Sequence, residues 1–309
     1  MGIDLKVKIG KIELENPVMV ASGTFGYGRE FEELVDVDKL GAIVTKTITL
    51  NPRHGNPPPR IIETPSGMLN AIGIQNDGVD DFIGYKVSYL KNIKVPIIAS
   101  IAGERISEYA EVAKKLDGVD KVAGIELNVS CPNMEWEVSG GKYRIFAQDA
   151  EAIKKIVSSV KAVTTKTIIT KLSPNVTDIS EMARAAVEGG SDAVSLVNTF
   201  LGMAVDTKTK KPKIANVTGG LSGPCIKPLA LRMVWEVYKA IKVPIIGMGG
   251  IANANDAIEF MLCGASAVAV GTTNFVDPQS SMYIIEGIAR YMSDNKIKSI
   301  KEVVGGLKV

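Results

Sequence analysis

Eight short apolar runs rich in β-branched residues, separated by stretches of helical periodicity, constrain this chain more than any other feature. They read as strands near Val18 to Ser22, Ala42 to Lys46, Ile97 to Ile101, Gly124 to Val129, Thr167 to Leu172, Asp192 to Val197, Ile245 to Met248 and Ala267 to Gly271. Between them apolar residues recur at three- and four-residue spacing, as in Ala150-Ile153-Ile156-Val157-Val160 and Leu229-Met233-Val234-Val237-Ile241, the pattern of a helix with one buried face. Two strands open on the same phrase, Lys94-Val95-Pro96-Ile97-Ile98 and Lys242-Val243-Pro244-Ile245-Ile246. Proline is tolerated there because the first strand residue need not donate to the ladder. Strands that are apolar throughout are covered on both faces, so the pattern predicts a closed parallel (β/α)8 barrel of the TIM type, one domain over residues 1–309. The competing arrangement, an open doubly wound sheet, wants Gly-x-Gly-x-x-Gly after its first strand, which Ala21-Ser22-Gly23-Thr24-Phe25-Gly26-Tyr27-Gly28 does not supply.

Strand spacing is uneven. Extra chain follows strand two (residues 47 to 80), strand four (131 to 146) and strand six (200 to 224), so long loops are expected there. They lie beyond strand C-termini, the catalytic face of such barrels, and imply a covered site. Lys6 to Leu14 alternates as a small hairpin that would cap the opposite end. The lysines of Lys208 to Lys213 read as a solvated loop tip.

Rare residues and charge exclude several chemistries. With 36 Lys plus Arg against 34 Asp plus Glu, the net charge is +2, too balanced for a nucleic-acid or polybasic membrane surface. No apolar run approaches the roughly 18 residues that span a bilayer. The start Met1-Gly2-Ile3-Asp4-Leu5-Lys6 resembles neither a signal peptide nor, with Lys6 in place of Ser or Thr, a myristoylation site, so a cytoplasmic protein is expected. The single histidine, His54, sits in a Pro-rich segment and reads as a solvated loop residue, which disfavours a Ser-His-Asp site. Cys131, Cys225 and Cys263 are widely separated, so no metal centre or iron-sulfur cluster is expected in this chain, and the thiols should be free.

The strand ends carry the chemistry. Gly247-Met248-Gly249-Gly250-Ile251 and Val270-Gly271-Thr272-Thr273 are glycine turns after strands seven and eight, where many barrels cradle a phosphate on backbone amides. Ser22, Lys46 with Thr47, Ser100, Asn128, Lys171, and Asn198 with Thr199 end other strands. Lys46 and Lys171 close apolar runs, so their ammonium groups are expected in the barrel mouth, facing an anion. Cys131 follows the fourth strand beside Asn128 and Asn133. Without a histidine partner it is an awkward hydrolytic nucleophile, but a thiol with a pKa near 8.5 can act as a general base. Cys225 and Cys263 fall in or beside helical patterns and read as inert.

Several phrases together resemble the class 1 dihydroorotate dehydrogenases, the flavin enzymes of pyrimidine synthesis, nearly end to end. They are Asn16-Pro17 with Ala21-Ser22-Gly23, Thr45-Lys46-Thr47, Asn70-Ala71-Ile72-Gly73-Ile74-Gln75-Asn76, Asn128-Val129-Ser130-Cys131-Pro132-Asn133, Gly219-Gly220-Leu221-Ser222-Gly223-Pro224 and both glycine turns. The resemblance implies FMN with its phosphate on Gly249, Gly250, Gly271 and Thr272, and Ser22, Lys46, Thr47, Ser100, Asn128, Lys171, Val197 and Gly223 around the rest. It implies dihydroorotate or orotate held by Lys46, Asn70, Ala71, Ile72, Gly73, Ile74, Asn128, Asn133, Asn198 and Thr199, with Cys131 as base. Gly73-Ile74-Gln75-Asn76 and Gly223-Pro224-Cys225-Ile226-Lys227-Pro228-Leu229-Ala230 look more like the NAD-linked heteromeric class 1B than the fumarate-using class 1A. That class implies a partner subunit bearing FAD and a [2Fe-2S] cluster, and a homodimer within a heterotetramer. Two other readings stay open on the residues alone: a non-redox lyase or isomerase with Lys46 or Lys171 as Schiff-base residue, and a binding subunit without turnover.

Overall fold

Runs that are apolar on both faces need cover on both faces, and here they find it in a closed barrel. The computed structural model describes residues 3–129, 136–138, 142–144 and 146–309, the two short segments by their backbone alone. The barrel strands are β1 (Val18–Val20), β2 (Ala42–Val44), β3 (Ile97–Ile101), β4 (Val122–Asn128), β5 (Thr167–Lys171), β6 (Ala193–Leu196), β7 (Ile245–Gly247) and β8 (Ala267–Val270). They pair in parallel in chain order, and β8 closes onto β1 with Val268 opposite Val18 and Val270 opposite Val20. No strand boundary departs from its sequence expectation by more than two residues.

Helices α1 (Ile106–Asp117), α2 (Ala150–Lys161), α3 (Ile179–Glu188), α4 (Lys227–Ala240), α5 (Ala254–Leu262) and α6 (Ser280–Asp294) cover the outside. α2 buries Ile153, Ile156, Val157 and Val160, the stripe its periodicity predicts, and Asp149 caps it by accepting the Ala152 amide at 3.0 Å. The first crossover departs from the repeat. Between β1 and β2 there are only two single turns, Arg29–Phe31 and Val37–Lys39. Gly23, Gly26 and Gly28 hold φ of 85°, 55° and 92°, outside the helical region, and the Phe25 and Phe31 rings stack with centroids 4.0 Å apart.

The long connections after β2 and β6 carry strands of their own. These join into one antiparallel sheet in the order Phe200–Met203, Thr218–Ser222, Gly67–Asn70 and Ile61–Thr64. Glycine permits the close central pairing, since a Cβ on Gly219 would lie 2.6 Å from the Asn70 carbonyl oxygen. After β4 a short ribbon pairs Trp136–Val138 with Lys142–Arg144, while Cys131 and Asn133 lie outside the described residues. Lys208 to Lys213 reach a tip whose lysines are exposed. The N-terminal hairpin, Val7–Ile9 with Ile12–Leu14, buries alternate residues. Its Lys11 amide donates to Thr167 Oγ1 at 3.0 Å, so it seats on the start of β5, at the end of the barrel away from the strand C-termini.

Candidate active site

The C-terminal ends of the barrel strands and the antiparallel sheet enclose a cavity of about 420 Å³, within the usual range for a cofactor site. It gathers most of the residues singled out from the sequence. Ser22, Lys46, Thr47, Asn128, Lys171, Val197, Asn198 and Thr199 line it from the strand ends. Gly223, Gly249, Gly250, Gly271 and Thr272 line it from the glycine turns, and Asn70, Ile72, Gly73 and Ile74 from the sheet and the segment after it.

Two expected lining residues stand back. Ser100 is fully buried behind Thr47, its Oγ 3.0 Å from Thr47 Oγ1. Ala71 is also fully buried, and its backbone is already committed: its amide donates to the Arg60 carbonyl at 2.8 Å and its carbonyl accepts from Asn56 Nδ2 at 3.0 Å. Asn70, at the end of its strand, and Ile72 line the cavity, while Ala71 between them does not. Ile74 lies in the same stretch with φ 52°, a left-handed conformation that costs a β-branched residue about 1–3 kcal/mol.

Hydroxyls form a continuous polar seam beneath the opening. Thr47 Oγ1 lies 3.1 Å from Ser22 Oγ and 3.0 Å from Ser100 Oγ, and accepts from Asn128 Nδ2 at 3.2 Å. Across the cavity Thr272 Oγ1 donates to Ser222 Oγ at 2.7 Å, and Thr273 Oγ1 donates to the Ile251 carbonyl at 2.8 Å, which ties the two glycine turns together. Gly249 and Gly250 have φ of 122° and 81°. Among the described residues no hydrogen bond takes up the amides of Gly249, Gly250, Gly271 or Thr272, which leaves four donors for an anion. The helical turn after Gly271 is only four residues long, Thr273–Val276, so these amides rather than a helix terminus are the donors available here.

The charges are unevenly compensated. Lys46 is half-buried, and its backbone amide donates to the Gly26 carbonyl at 2.9 Å. Lys171 is 5% exposed, with Glu126 Oε1 3.9 Å from its Nζ. Outside the cavity Lys227 pairs with Asp256, and that hydrogen bond holds the ammonium above its ordinary pKa. Of the remaining thiols, burial pushes Cys263 up, in keeping with an inert group. Cys225 is exposed rather than enclosed, with its Sγ 3.7 Å from the Ser222 carbonyl. His54 is exposed and does not line the cavity.

Sequence reasoning missed Glu126, Ser195, Ser222 and Arg60. Glu126 carried a legible signal, as the one carboxylate within the eight barrel strands. Arg60 lines the cavity and donates to Gln75 Oε1, but nothing local distinguishes it from any loop arginine.

Glycine amides, hydroxyls and lysines converging at the mouth of a (β/α)8 barrel are the features of the barrel proteins that anchor a phosphorylated cofactor above their strand ends. The family model described as Dihydroorotate dehydrogenase matches residues 4–292, and the chain belongs to that family of flavin oxidoreductases. It is 54% identical over 306 residues to a protein of Geotalea daltonii named dihydroorotate dehydrogenase B (NAD(+)), catalytic subunit, with 99% of each chain covered. Proteins of the same name from Thermoanaerobacter sp. and Geobacter metallireducens are 54% and 53% identical over 307 and 306 residues, covering 99% of this chain and 100% and 99% of theirs. The residues present fit a flavin nucleotide: free amides for a phosphate, hydroxyls for a polyol chain, and ammonium groups for the charge that the ring gains on reduction. Among the described residues no cluster of metal-binding side chains occurs and no helix is long and apolar enough to cross a membrane.

Proposed function

We propose that this chain is the catalytic subunit of an NAD-linked dihydroorotate dehydrogenase, a cytoplasmic barrel domain over residues 1–309 that oxidises dihydroorotate to orotate in de novo pyrimidine synthesis with FMN as its own cofactor. The observation that carries this reading is the convergence of Lys46, Asn70, Asn128, Asn198 and Thr199 with the free glycine amides on one cavity, in a chain matched nearly end to end by relatives of that name.

FMN, when bound, supplies the acceptor for a hydride from the substrate. The chain's own residues do the rest. The Cys131 thiolate removes the proton from the ring carbon next to the one that gives up hydride, so that a carbon–carbon double bond forms and the thiol keeps the proton. Asn70, Asn128, Asn133 and Asn198 each offer a donor and an acceptor, the complement of alternating imide and carbonyl groups. Thr199 and the backbone from Ile72 to Ile74 close around the ring, and Lys46 faces the substrate carboxylate. Ser22, Thr47, Val197 and Gly223 would hold the FMN, the amides of Gly249, Gly250, Gly271 and Thr272 would serve its phosphate, and Ser100 would support Thr47 from behind. Lys171, which lines the same cavity, would offset the charge of the reduced ring.

The chain has neither cluster-forming cysteines nor a dinucleotide fingerprint. NAD linkage therefore requires a partner subunit with FAD and a [2Fe-2S] cluster, assembled with a homodimer of this chain as a heterotetramer. The test is anaerobic mixing of FMN-loaded protein with dihydroorotate, for which flavin bleaching is expected. Oxidised flavin throughout would overturn the reading, and a colourless protein trapped on a carbonyl substrate by borohydride would replace it with Schiff-base chemistry. Co-purification of an iron-containing flavoprotein is expected from NAD linkage, whereas rapid turnover of the isolated chain with fumarate would overturn that part.

A further inference from the structure

Glu126 is a buried ionisable group that the proposed chemistry leaves without a task. It is 1% exposed inside the barrel, and Oε2 accepts a hydrogen bond from Ser195 Oγ at 3.0 Å. Oε1 has no hydrogen-bond partner, although its surface is wholly removed from solvent. A carboxylate oxygen left this way is costly, and in native proteins such oxygens are few. The Lys171 ammonium stands 3.9 Å from that oxygen, beyond hydrogen-bond range but close enough for strong attraction in a dry interior.

The sheet register fixes the arrangement. Glu126 lies two residues before Asn128 on β4, so both side chains point to the same face, and Asn128 is paired with Lys171, which is paired with Ser195. Asn128 and Lys171 line the cavity, while Glu126 and Ser195 do not. The carboxylate therefore sits one layer below the cavity, held by Ser195 from the side, with its free oxygen toward the ammonium. An unpaired ammonium at the cavity would favour the negative charge that a flavin gains on reduction. A carboxylate 3.9 Å behind it cancels much of that field at longer range.

We propose that Glu126 is a positioning residue for the redox step: from beneath the cavity it balances the charge of Lys171 and so sets how readily the bound flavin is reduced. This rests on the flavin reading above. The test is a spectroelectrochemical titration of flavin bound to the wild type and to Glu126→Gln, Glu126→Met and Glu126→Asp. Gln keeps the shape and removes the charge, Met removes the charge without leaving a polar atom, and Asp keeps the charge. Gln and Met are expected to move the midpoint potential upward by at least tenfold in the reduction equilibrium constant, about 30 mV for a two-electron couple. Asp should stay within about twofold of the wild type in the same constant. An unchanged or lower potential in the variants without the charge would overturn the proposal. So would failure of Gln and Met to fold while Asp folds, because the carboxylate would then be a requirement of the barrel and not a control on the flavin. A wild-type protein that takes up no flavin would instead defeat the functional reading.

Discussion

Lys227 Nζ lies 2.6 Å from Asp256 Oδ1, and the other oxygen of that carboxylate accepts the Ala252 amide at 2.8 Å. One buried aspartate thus ties the first residue of α4 to the glycine turn after β7, and Glu259 adds a second anion 2.9 Å from the ammonium. Gly250 packs directly on Lys227, since a Cβ there would stand 2.9 Å from the lysine's amide nitrogen. Lys227→Met should loosen the amide cradle and weaken flavin retention about tenfold, about 1.4 kcal/mol, as read by fluorescence titration of the apoprotein. The pH dependence follows from the pairing. The Asp256 hydrogen bond raises the folded pKa of Lys227, so its stabilisation is complete below the unfolded value of about 10.4 and is lost as pH climbs through the higher folded value. Wild type should release flavin over that alkaline window, and the methionine variant should lack this step.

Gly250→Ala tests the cradle itself. Its φ of 81° disfavours any side chain, and the new Cβ would meet both the Gly223 carbonyl oxygen and the Lys227 amide nitrogen at 2.9 Å. Gly23 makes the control, with a similar φ of 85° but nothing within 4 Å of a Cβ. The conformational cost alone is about 1–2 kcal/mol, and backbone overlap adds about as much again. In the apoprotein Gly250→Ala should therefore lose about 2–4 kcal/mol by denaturant unfolding and Gly23→Ala about half of that. Equal losses would mean that the turn can give way.

The strands and the polar ring at their ends were legible because both are local: an apolar run stops, and the next residue is Lys46, Asn128 or Lys171. What joins the insertions was not. Gly220 pairs with Asn70 across 150 residues of chain, and no periodicity within either segment names its partner. Ala71 shares a motif with cavity residues, yet its burial and its committed backbone set it back from the cavity, and nothing in the motif distinguishes it. Glu126 is hidden in a strand that reads as core, although a carboxylate in such a run requires a partner and so carries a signal of its own.

Thr47 Oγ1 is the junction of the hydroxyl seam, within hydrogen-bonding distance of Ser22, Ser100 and Asn128. Thr47→Val keeps the volume and removes the oxygen, so the hydroxyl of fully buried Ser100 and the Asn128 amide lose a partner together. Stranding the buried one of these, the Ser100 hydroxyl, costs about 1–3 kcal/mol. A shifted denaturation midpoint with an unchanged m-value is expected, together with weaker flavin binding. An unaltered midpoint would show that these groups find other partners.

Cys131, three residues beyond Asn128, offers the sharpest kinetic prediction. A thiol with a pKa of about 8.5 is only a few percent ionised at neutral pH, so flavin reduction by dihydroorotate should accelerate from about pH 6 to 9 and then level off. The chain's one imidazole, His54, is exposed and does not line the cavity, which removes the usual rival for such a profile. Cys131→Ser should lower the reduction rate by about 10²–10⁴ while leaving flavin bound, because a positioned base typically contributes that much. The serine variant should also lose the rise between pH 6 and 9, since its hydroxyl does not titrate there. A slow variant that keeps the same pH profile would mean that another group carries the titration, and a variant of near-normal rate would mean that the proton leaves by another route.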